Sequence, residues 1–193
     1  MKNSGTVRME TKRLVLRPFV IEDAGAMFRN WANDPQVTKF LSWEPHKDVE
    51  ETKQILEGWI KSYESKDFYT WAIAWREDEG NVIGSIAVPQ LNQKAGRVTV
   101  GYCLGRKWWG NGIMKEAFAE LIRFFFEVEG ANRVEALHDT RNVNSGKVMM
   151  ACGLKKEGTL RQYGWNNQGI CDECIYGMVA SDYFEGKQRW ENK

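Results

Sequence analysis

Residues 97–128 read RVTVGYCLGRKWWGNGIMKEAFAELIRFFFEV. Arg97 to Leu104 is rich in β-branched and aromatic residues and reads as a strand. Lys107, Trp108, Trp109, Gly110, Asn111 and Gly112 then break the pattern and read as a turn. From Gly112 to about Val128 the apolar residues Ile113, Ala117, Leu121, Phe124 and Val128 recur at helical spacing, and Gly130 closes the helix. A strand, a glycine turn and a helix start in direct succession present several free backbone N–H groups to an anion, and the helix dipole adds positive potential. A side chain at Gly110 or Gly112 would hold a pyrophosphate away from those amides, and glycine permits positive φ in the turn. A diphosphate ligand is therefore implied. On a bare G-x-G the alternative of a glycine turn chosen only for its geometry stays open. Two other phosphate motifs are excluded: Lys115 stands where a dinucleotide-binding fingerprint wants its third glycine, and no G-K-[ST] follows as a P-loop demands.

Downstream, a strand is expected over Arg133 to His138, a helix from Asn144 to about Cys152 ended by Gly153, and then two closing strands with a hairpin turn at Asn166 to Gly169. Upstream, Tyr69 to Trp75 and Val82 to Val88 join Arg97 to Leu104 in a three-strand meander, with turn clusters at Glu77 to Asn81 and Asn92 to Gly96. Asp48 with Glu51 makes a capping-box-like start for a helix whose stripe is Val49, Thr52, Leu56, Trp59 and Tyr63. Ala24, Met27, Phe28 and Trp31 mark a helix over Glu22 to Trp31, and Asn33, Asp34 and Pro35 supply a bend and a second helix start. A first strand carries Leu14 and Leu16 on one face, with Arg13 and Arg17 on the other. The sum is an α/β domain with a mixed, mostly antiparallel sheet flanked by helices, with no repeat, low-complexity tract or long linker.

The chain has 193 residues, enough for one domain to bury a core without disulfides or metals. A single domain over 1–193 is expected, with residues 1–9 as a flexible N-terminal extension. Lys and Arg total 27 against 26 for Asp and Glu, so net charge points to neither nucleic acid nor a membrane surface. The N-terminal residues Met1, Lys2, Asn3 and Ser4 precede no apolar run, and no stretch approaches the ~20 apolar residues of a membrane span. A cytoplasmic location is expected. Cys103, Cys152, Cys171 and Cys174 are expected as reduced thiols. Cys171 and Cys174 form a C-x-x-C, but no second pair accompanies them and His46 and His138 are far off in sequence. The segment reads as strand rather than as a metal or redox site.

The loop resembles the pyrophosphate loop of the GNAT superfamily of N-acetyltransferases, which reads [QR]-x-x-G-x-[GA]. Gly110 and Gly112 match, whereas Lys107 replaces the first residue. The string Trp109, Gly110, Gly112, Glu116, Ala117 is similar to the branch that acetylates ribosomal-protein N-termini at alanine or serine, where that first position varies. The likeness covers almost the whole chain. It takes in Glu10, Thr11, Arg13, Leu14, Leu16, Arg17 and Pro18, then Asp34, Pro35 and Val37, then Trp43, Pro45, His46, Glu51 and Thr52. Further on come Gly101 and Tyr102, then Asn142, Ser145, Val148 and Gly153, and finally Gly169, Asp172 and Tyr176.

The resemblance implies the GNAT fold, with acetyl-CoA as co-substrate lying between two splayed parallel strands. These are the strand through Gly101, Tyr102 and Cys103 and the strand ending at His138. Backbone groups near Tyr102 and Leu104 would pair with the pantetheine, and the loop from Lys107 and Trp109 through Gly110, Asn111, Gly112, Ile113 and Met114 would hold the pyrophosphate. Asn142 matches the asparagine that bonds the pantetheine arm, and Ser145 the serine near the thioester sulfur. Read on their own, the two would be an N-cap pair. Many relatives carry a tyrosine four residues after that serine as the acid for the departing thiolate. Met149 stands there, which leaves Ser145 as the candidate. Thr99 stands where many relatives have a glutamate base. Glu44, His46, His138 and Asp172 are the candidate substitutes, and each has an ordinary structural reading. The acceptor would enter past Phe40 to His46 and the hairpin turn, with Trp43, His46, Tyr163 and Trp165 as candidate walls or ordinary core residues.

With no obvious strong base, a chain-terminal amine, with a reference pKa of about 7.7 to 8.0, fits better than a lysine near 10.4. The expected reaction is acetyl transfer to a primary amine, with a protein N-terminal α-amine as the leading acceptor. The alternatives are a small amine such as a polyamine, an amino acid or an antibiotic, and a non-catalytic acyl-CoA-binding protein. A ribosomal or other protein N-terminus is the candidate partner and a homodimer a candidate assembly. No metal, direct nucleic-acid contact or membrane is expected.

Overall fold

The computed structural model describes the backbone of residues 1–191 and side chains through residue 187. One eight-stranded sheet runs in the order β1-β2-β3-β4-β5-β6-β8-β7. Its strands are β1 Met9–Glu10, β2 Leu14–Arg17, β3 Thr70–Trp75, β4 Asp78–Asn92, β5 Arg97–Leu104, β6 Arg133–Asp139, β7 Lys155–Asn166 and β8 Gly169–Val179. Every neighbouring pair is antiparallel except β5 and β6, which run parallel. The sequence-based expectation of a mixed, mostly antiparallel sheet with one parallel pair is met.

Helices cover both faces. On one lie α1 Ala24–Met27, continued by a wide turn over Phe28–Ala32, α2 Pro35–Thr38 and α3 Val49–Ser62. On the other lie α4 Ile113–Arg123, continued by a wide turn over Phe124–Glu129, α5 Val143–Ala151 and α6 Ala180–Glu191. Two cores result. Leu14, Leu16, Trp71 and Ile73 pack toward Phe118, Leu121 and Phe125 of the α4 layer, while Val15, Ala72 and Ala74 pack toward Met27, Trp31 and Leu56. Because both faces are covered, Leu14, Val15 and Leu16 are all buried. Leu14 and Leu16 share one face as expected, and Val15 is buried on the other.

Local chemistry sets the helix ends. Asp48 Oδ1 accepts the Glu51 N–H at 2.8 Å, and Glu51 Oε2 accepts the Lys47 N–H at 2.7 Å, a reciprocal cap shifted by one residue from the standard box. Asp34 caps α2 by accepting from the Gln36 N–H, with Pro35 at the first helical position. Gly130 and Gly153 close the second-layer helices at φ +70 and +90.

Three elements differ from the expectation. β4 starts at Asp78 rather than Val82, because Trp75 pairs with Asp78 and the hairpin closes over Arg76 and Glu77 alone. That end of β4 is largely exposed, so a polar sequence is compatible with strand. β1 and α6 are not foreseen: the first is only two residues long, and the second carries mixed charge in place of a clean apolar stripe. In the N-terminal segment, the Lys2 N–H donates to the Glu129 carbonyl and the Asn3 and Ser4 N–H groups donate to its carboxylate. Trp71 Nε1–H reaches the Val7 carbonyl at 2.6 Å. No described helix is long and apolar enough to cross a membrane.

Candidate active site

The parallel pairing of β5 and β6 holds from Arg97 opposite Arg133 to Val100 opposite Ala136 and then stops. Beyond it the strands part, and Gly101 to Leu104 keep only β4 as a ladder partner. In an antiparallel ladder, residues alternate between directing their backbone groups at the partner and away from it. The Gly105 N–H donates to the Ile83 carbonyl, so Cys103 and Gly101 also face β4. Tyr102 and Leu104 therefore turn their N–H groups into the gap. A cleft of ≈ 660 Å³ begins there and runs to the start of α4.

At that start, Gly110 has φ +78 and Gly112 φ +71, and no side chain caps the helix. The first helical N–H to find a carbonyl is that of Glu116, bonded to Gly112. Gly110, Gly112, Ile113, Met114 and Lys115, which precede it, line the cleft mouth. Asn111 Nδ2–H donates to the carbonyls of Trp108 and Trp109, and Trp109 Nε1–H donates to the Leu104 carbonyl at 2.7 Å, folding the loop back on its own strand. A second clamp comes from the segment leading into β2. Glu116 accepts from Thr11 Oγ1–H at 2.6 Å, the Arg13 N–H at 2.8 Å and Arg13 Nε–H at 2.6 Å, and Arg13 Nη1–H reaches the Asn111 carbonyl. Lys39, Lys115, Lys147 and Arg141, the last ion-paired with Asp139, line the cleft, and among the described residues no aspartate or glutamate does. Four cations around free amides form an anion site.

Of the expected cofactor residues, Tyr102, Cys103, Leu104, Trp109, Gly110, Gly112, Ile113, Met114, Asn142 and Ser145 all line this cleft. Lys107 does not. Its ammonium lies 5.6 Å from the centre of the Trp108 ring. Asn111 acts within the loop. Asn142 stands at the N-cap of α5 but its side chain makes no cap bond, and the Ser145 hydroxyl bonds to Tyr102 instead, so the capping alternative for this pair does not hold. Met149 is buried one turn further on.

The acceptor-side candidates are more scattered. His46 is buried, its Nδ1 2.8 Å from Thr52 Oγ1 and its ring 5.2 Å from that of Trp43. Burial holds its imidazole below the ordinary 6.5, with Glu51 pulling weakly the other way. The pair thus braces the loop after α2, and neither ring lines the cleft, where Phe40 and Leu41 stand instead. Asn167 at the hairpin tip donates to the carbonyls of Thr38 and Trp43, tying hairpin to loop. Asn166 reaches Asp139 Oδ2 on the α1–α3 face of the sheet, so the alternating Tyr163 and Trp165 point to the opposite face. They are 60% and 59% exposed, and neither lines the cleft.

None of the four candidate bases is presented as one. Glu44 lies exposed on its loop. Asp172 accepts the Gln162 N–H and so holds a bulge in β7, where Gln162 has φ +50. His138 Nδ1–H donates to the Asp139 carbonyl, and its ring is buried beneath α5, where an added Cβ on Gly146 would meet Nε2 at 2.5 Å. Thr99 Oγ1–H donates to Glu135, which is buried and ion-paired to Arg133 at 2.7 Å and Arg97 at 3.5 Å. Sequence reading missed Glu173. It sits directly opposite Asp139 on β6, and its carboxylate occupies the space a side chain at Gly164 would need. Burial and then the Asp139 charge raise its carboxyl above the usual range, while Arg141 draws that of Asp139 down.

Cys171 and Cys174, three apart on one strand, face opposite sides of the sheet. Cys171 accepts from Asn166 Nδ2–H, and Cys174 lies beside Thr159. All four cysteines are free, and among the described residues no group of three or more His, Cys, Asp or Glu side chains is placed to hold a metal ion.

A sheet that opens between two parallel strands beside an uncapped helix start is the arrangement of an acyl-CoA-dependent acetyltransferase, and comparison with known proteins agrees. The family described as the acetyltransferase (GNAT) domain matches residues 13–155. The N-acetyltransferase YoaA of Bacillus subtilis, described as uncharacterized, is 32% identical over 171 residues, 89% of this chain and 96% of that one. The [ribosomal protein uS5]-alanine N-acetyltransferase of Escherichia coli is 26% identical over 192 residues, 96% and 97% of the two chains. Among solved structures, the microcin C7 self-immunity acetyltransferase MccE, in complex with acetyl-CoA and AMP, superposes with a TM-score of 0.79 at 18% identity, over 88% of this chain and 93% of that one. The chain belongs to the GNAT acetyltransferase family and is an N-acetyltransferase.

Proposed function

We propose that this chain is a single-domain, cytoplasmic enzyme that transfers the acetyl group of acetyl-CoA to the α-amine of a protein N-terminus. The observation that carries the choice of acceptor is the absence of a free, strong base among the described residues of the cleft. Thr99 replaces the usual glutamate, the neighbouring Glu135 is locked by two arginines, Asp172 and His46 have structural bonds, and Glu173, opposite Asp139, does not line the cleft. An α-amine is appreciably neutral at cellular pH, whereas neutralising a lysine costs about 3 to 4 kcal/mol more. Similarity to the uS5-alanine enzyme over nearly the full length of both chains supports the same class of acceptor.

In this mechanism the α4 amides and the surrounding cations hold the diphosphate, and the Tyr102 and Leu104 backbone pairs with the pantetheine as an added strand. The neutral amine attacks the thioester carbonyl, and the Tyr102 N–H in the gap receives the oxyanion. Such a donor is worth ~10² to 10³ in rate. Ser145 faces the departing sulfur.

The test is an acetylation screen of peptides beginning with different residues, run beside free amines and polyamines. We expect peptides beginning with alanine or serine to be preferred by kcat/KM. Preference for a polyamine would overturn the acceptor assignment, and tight CoA binding without turnover on any amine would overturn the transferase mechanism. Ser145→Ala should retain CoA affinity and lose roughly 10- to 100-fold in kcat. An unchanged chemical step in single-turnover kinetics would remove Ser145 from the mechanism.

A further inference from the structure

One pair of side chains in the cleft is more closely coupled than its separation in sequence suggests. Tyr102 on β5 and Ser145 on α5 exchange two hydrogen bonds. The Tyr102 phenol donates to the Ser145 carbonyl at 3.0 Å, and Ser145 Oγ–H donates to the phenol oxygen at 3.1 Å. The ring is held by Phe118 at 5.5 Å between centroids, and both residues line the cleft. Ser145 neither caps its helix nor packs the core, and a phenylalanine would fill the ring's place.

We propose that Tyr102 is a positioning residue that acts through Ser145, strengthening its hydroxyl as a hydrogen-bond donor to the sulfur that leaves acetyl-CoA. The assignment rests on the proposed placement of Ser145 beside that sulfur. In the resting enzyme the phenol oxygen parks the serine hydrogen. When negative charge develops on sulfur, the Ser145 O–H turns to it and the phenol O–H turns from the Ser145 carbonyl to Oγ. Each hydrogen stays on its own oxygen, and only the two rotors move. The C–N bond forms, the C–S bond breaks with its electron pair going to sulfur, and the surplus amine proton leaves to water. A donor that itself accepts a hydrogen bond is the stronger donor. Burial raises the Tyr102 phenol well above its ordinary range, so it keeps the hydrogen this role needs at any working pH. The role also accounts for Met149, because the tyrosine missing from α5 is compensated by one on the facing strand.

The test follows the thiol of CoA bound to the protein, titrated by the ultraviolet absorption of its thiolate. Bound to the parent chain, the thiol should titrate below free CoA. Tyr102→Phe should move it back toward the free value by about half a unit. Ser145→Ala should move it at least as far, and the double variant no further than Ser145→Ala. Ser145→Thr, which keeps the hydroxyl, should stay near the parent. In single turnover with an alanine-initiated peptide, Tyr102→Phe should slow acetyl transfer about threefold to tenfold with KM for acetyl-CoA unchanged. If that variant folds poorly, 3-fluorotyrosine at position 102 keeps the packing. As a more acidic phenol and stronger donor, it should move the thiol titration further below the parent, and no movement or an upward one would overturn the proposal. Tyr102→Phe titrating like the parent, or effects of the two single variants that add, would overturn the proposal. Failure of the parent to bind CoA removes the site and the proposal together. A lowered thiol without acetylation of any peptide removes only the acceptor assignment.

Discussion

Gly112 shows how one residue joins fold to ligand. Its φ of +71 lies where a β-branched side chain is strained, yet the space around it is open, with Arg13 Nη2 the nearest atom to an added Cβ at 3.7 Å. The glycine therefore serves the turn and the mouth of the cleft, not the packing. Gly112→Val should cost about 1 to 2 kcal/mol of stability and raise the Kd for CoA at least tenfold. Thermal unfolding and calorimetric titration check the two effects, and a stable variant with parental affinity would contradict the assignment. This glycine and Gly110 were legible in the sequence because they belong to a short pattern beside a helix start, whereas Asn142 and Ser145 were named only through the family resemblance, since read alone they suggested an N-cap pair. The role of the Tyr102 phenol was not legible, since its partner is 43 positions away and only the packing of α5 across the sheet brings them together. The place of Tyr163 and Trp165, which do not line the cleft, was hidden for a related reason. Aromatic residues near a hairpin can line either face, and the face depends on a bulge at Gln162 that composition does not reveal.

At the scale of elements, the start of α4 is fixed from outside itself. Thr11 and Arg13 on the approach to β2 place four hydrogen-bond donors on Glu116 and the Asn111 carbonyl, so the first strand holds the loop at the far end of the sheet's central helix. Burial pushes the Glu116 carboxyl up, but the bonds from Thr11 and Arg13 outweigh it, and the net shift is downward. Glu116→Gln replaces an anion shared by these donors with a neutral amide. We expect KM for acetyl-CoA to rise about fivefold to tenfold and stability to fall by about 1 to 2 kcal/mol, with kcat at saturation little changed. Steady-state kinetics at varied acetyl-CoA decides it, and an unchanged KM would show that the clamp is only structural. The sequence quotes Thr11, Arg13 and Glu116 as matched positions, but their common purpose is visible only when β2 and α4 are side by side. Long helices and the strands flanking the glycine turn were legible because their periodicity is sustained. β1 is too short to show a period, and the polar start of β4 masked a strand that solvent tolerates.

The whole molecule concentrates its function at one topological feature. Six of the seven strand pairings are antiparallel, and the single parallel pair, β5 with β6, sits near the middle of the sheet. Ligands of open sheets gather at the carboxyl ends of parallel strands where the order switches, and it is there that this sheet parts and α4 begins. The core on the α4 face holds residues of both β4 and β8, between which β5 and β6 diverge. The account therefore stands on where coenzyme A lies. The direct measurement is a crystal structure of the chain with CoA bound. It should place the diphosphate on the amides from Gly110 to Met114 and the pantetheine between β5 and β6, against Tyr102. CoA bound on any other surface, or in the cleft with its diphosphate away from the α4 amides, would contradict the account.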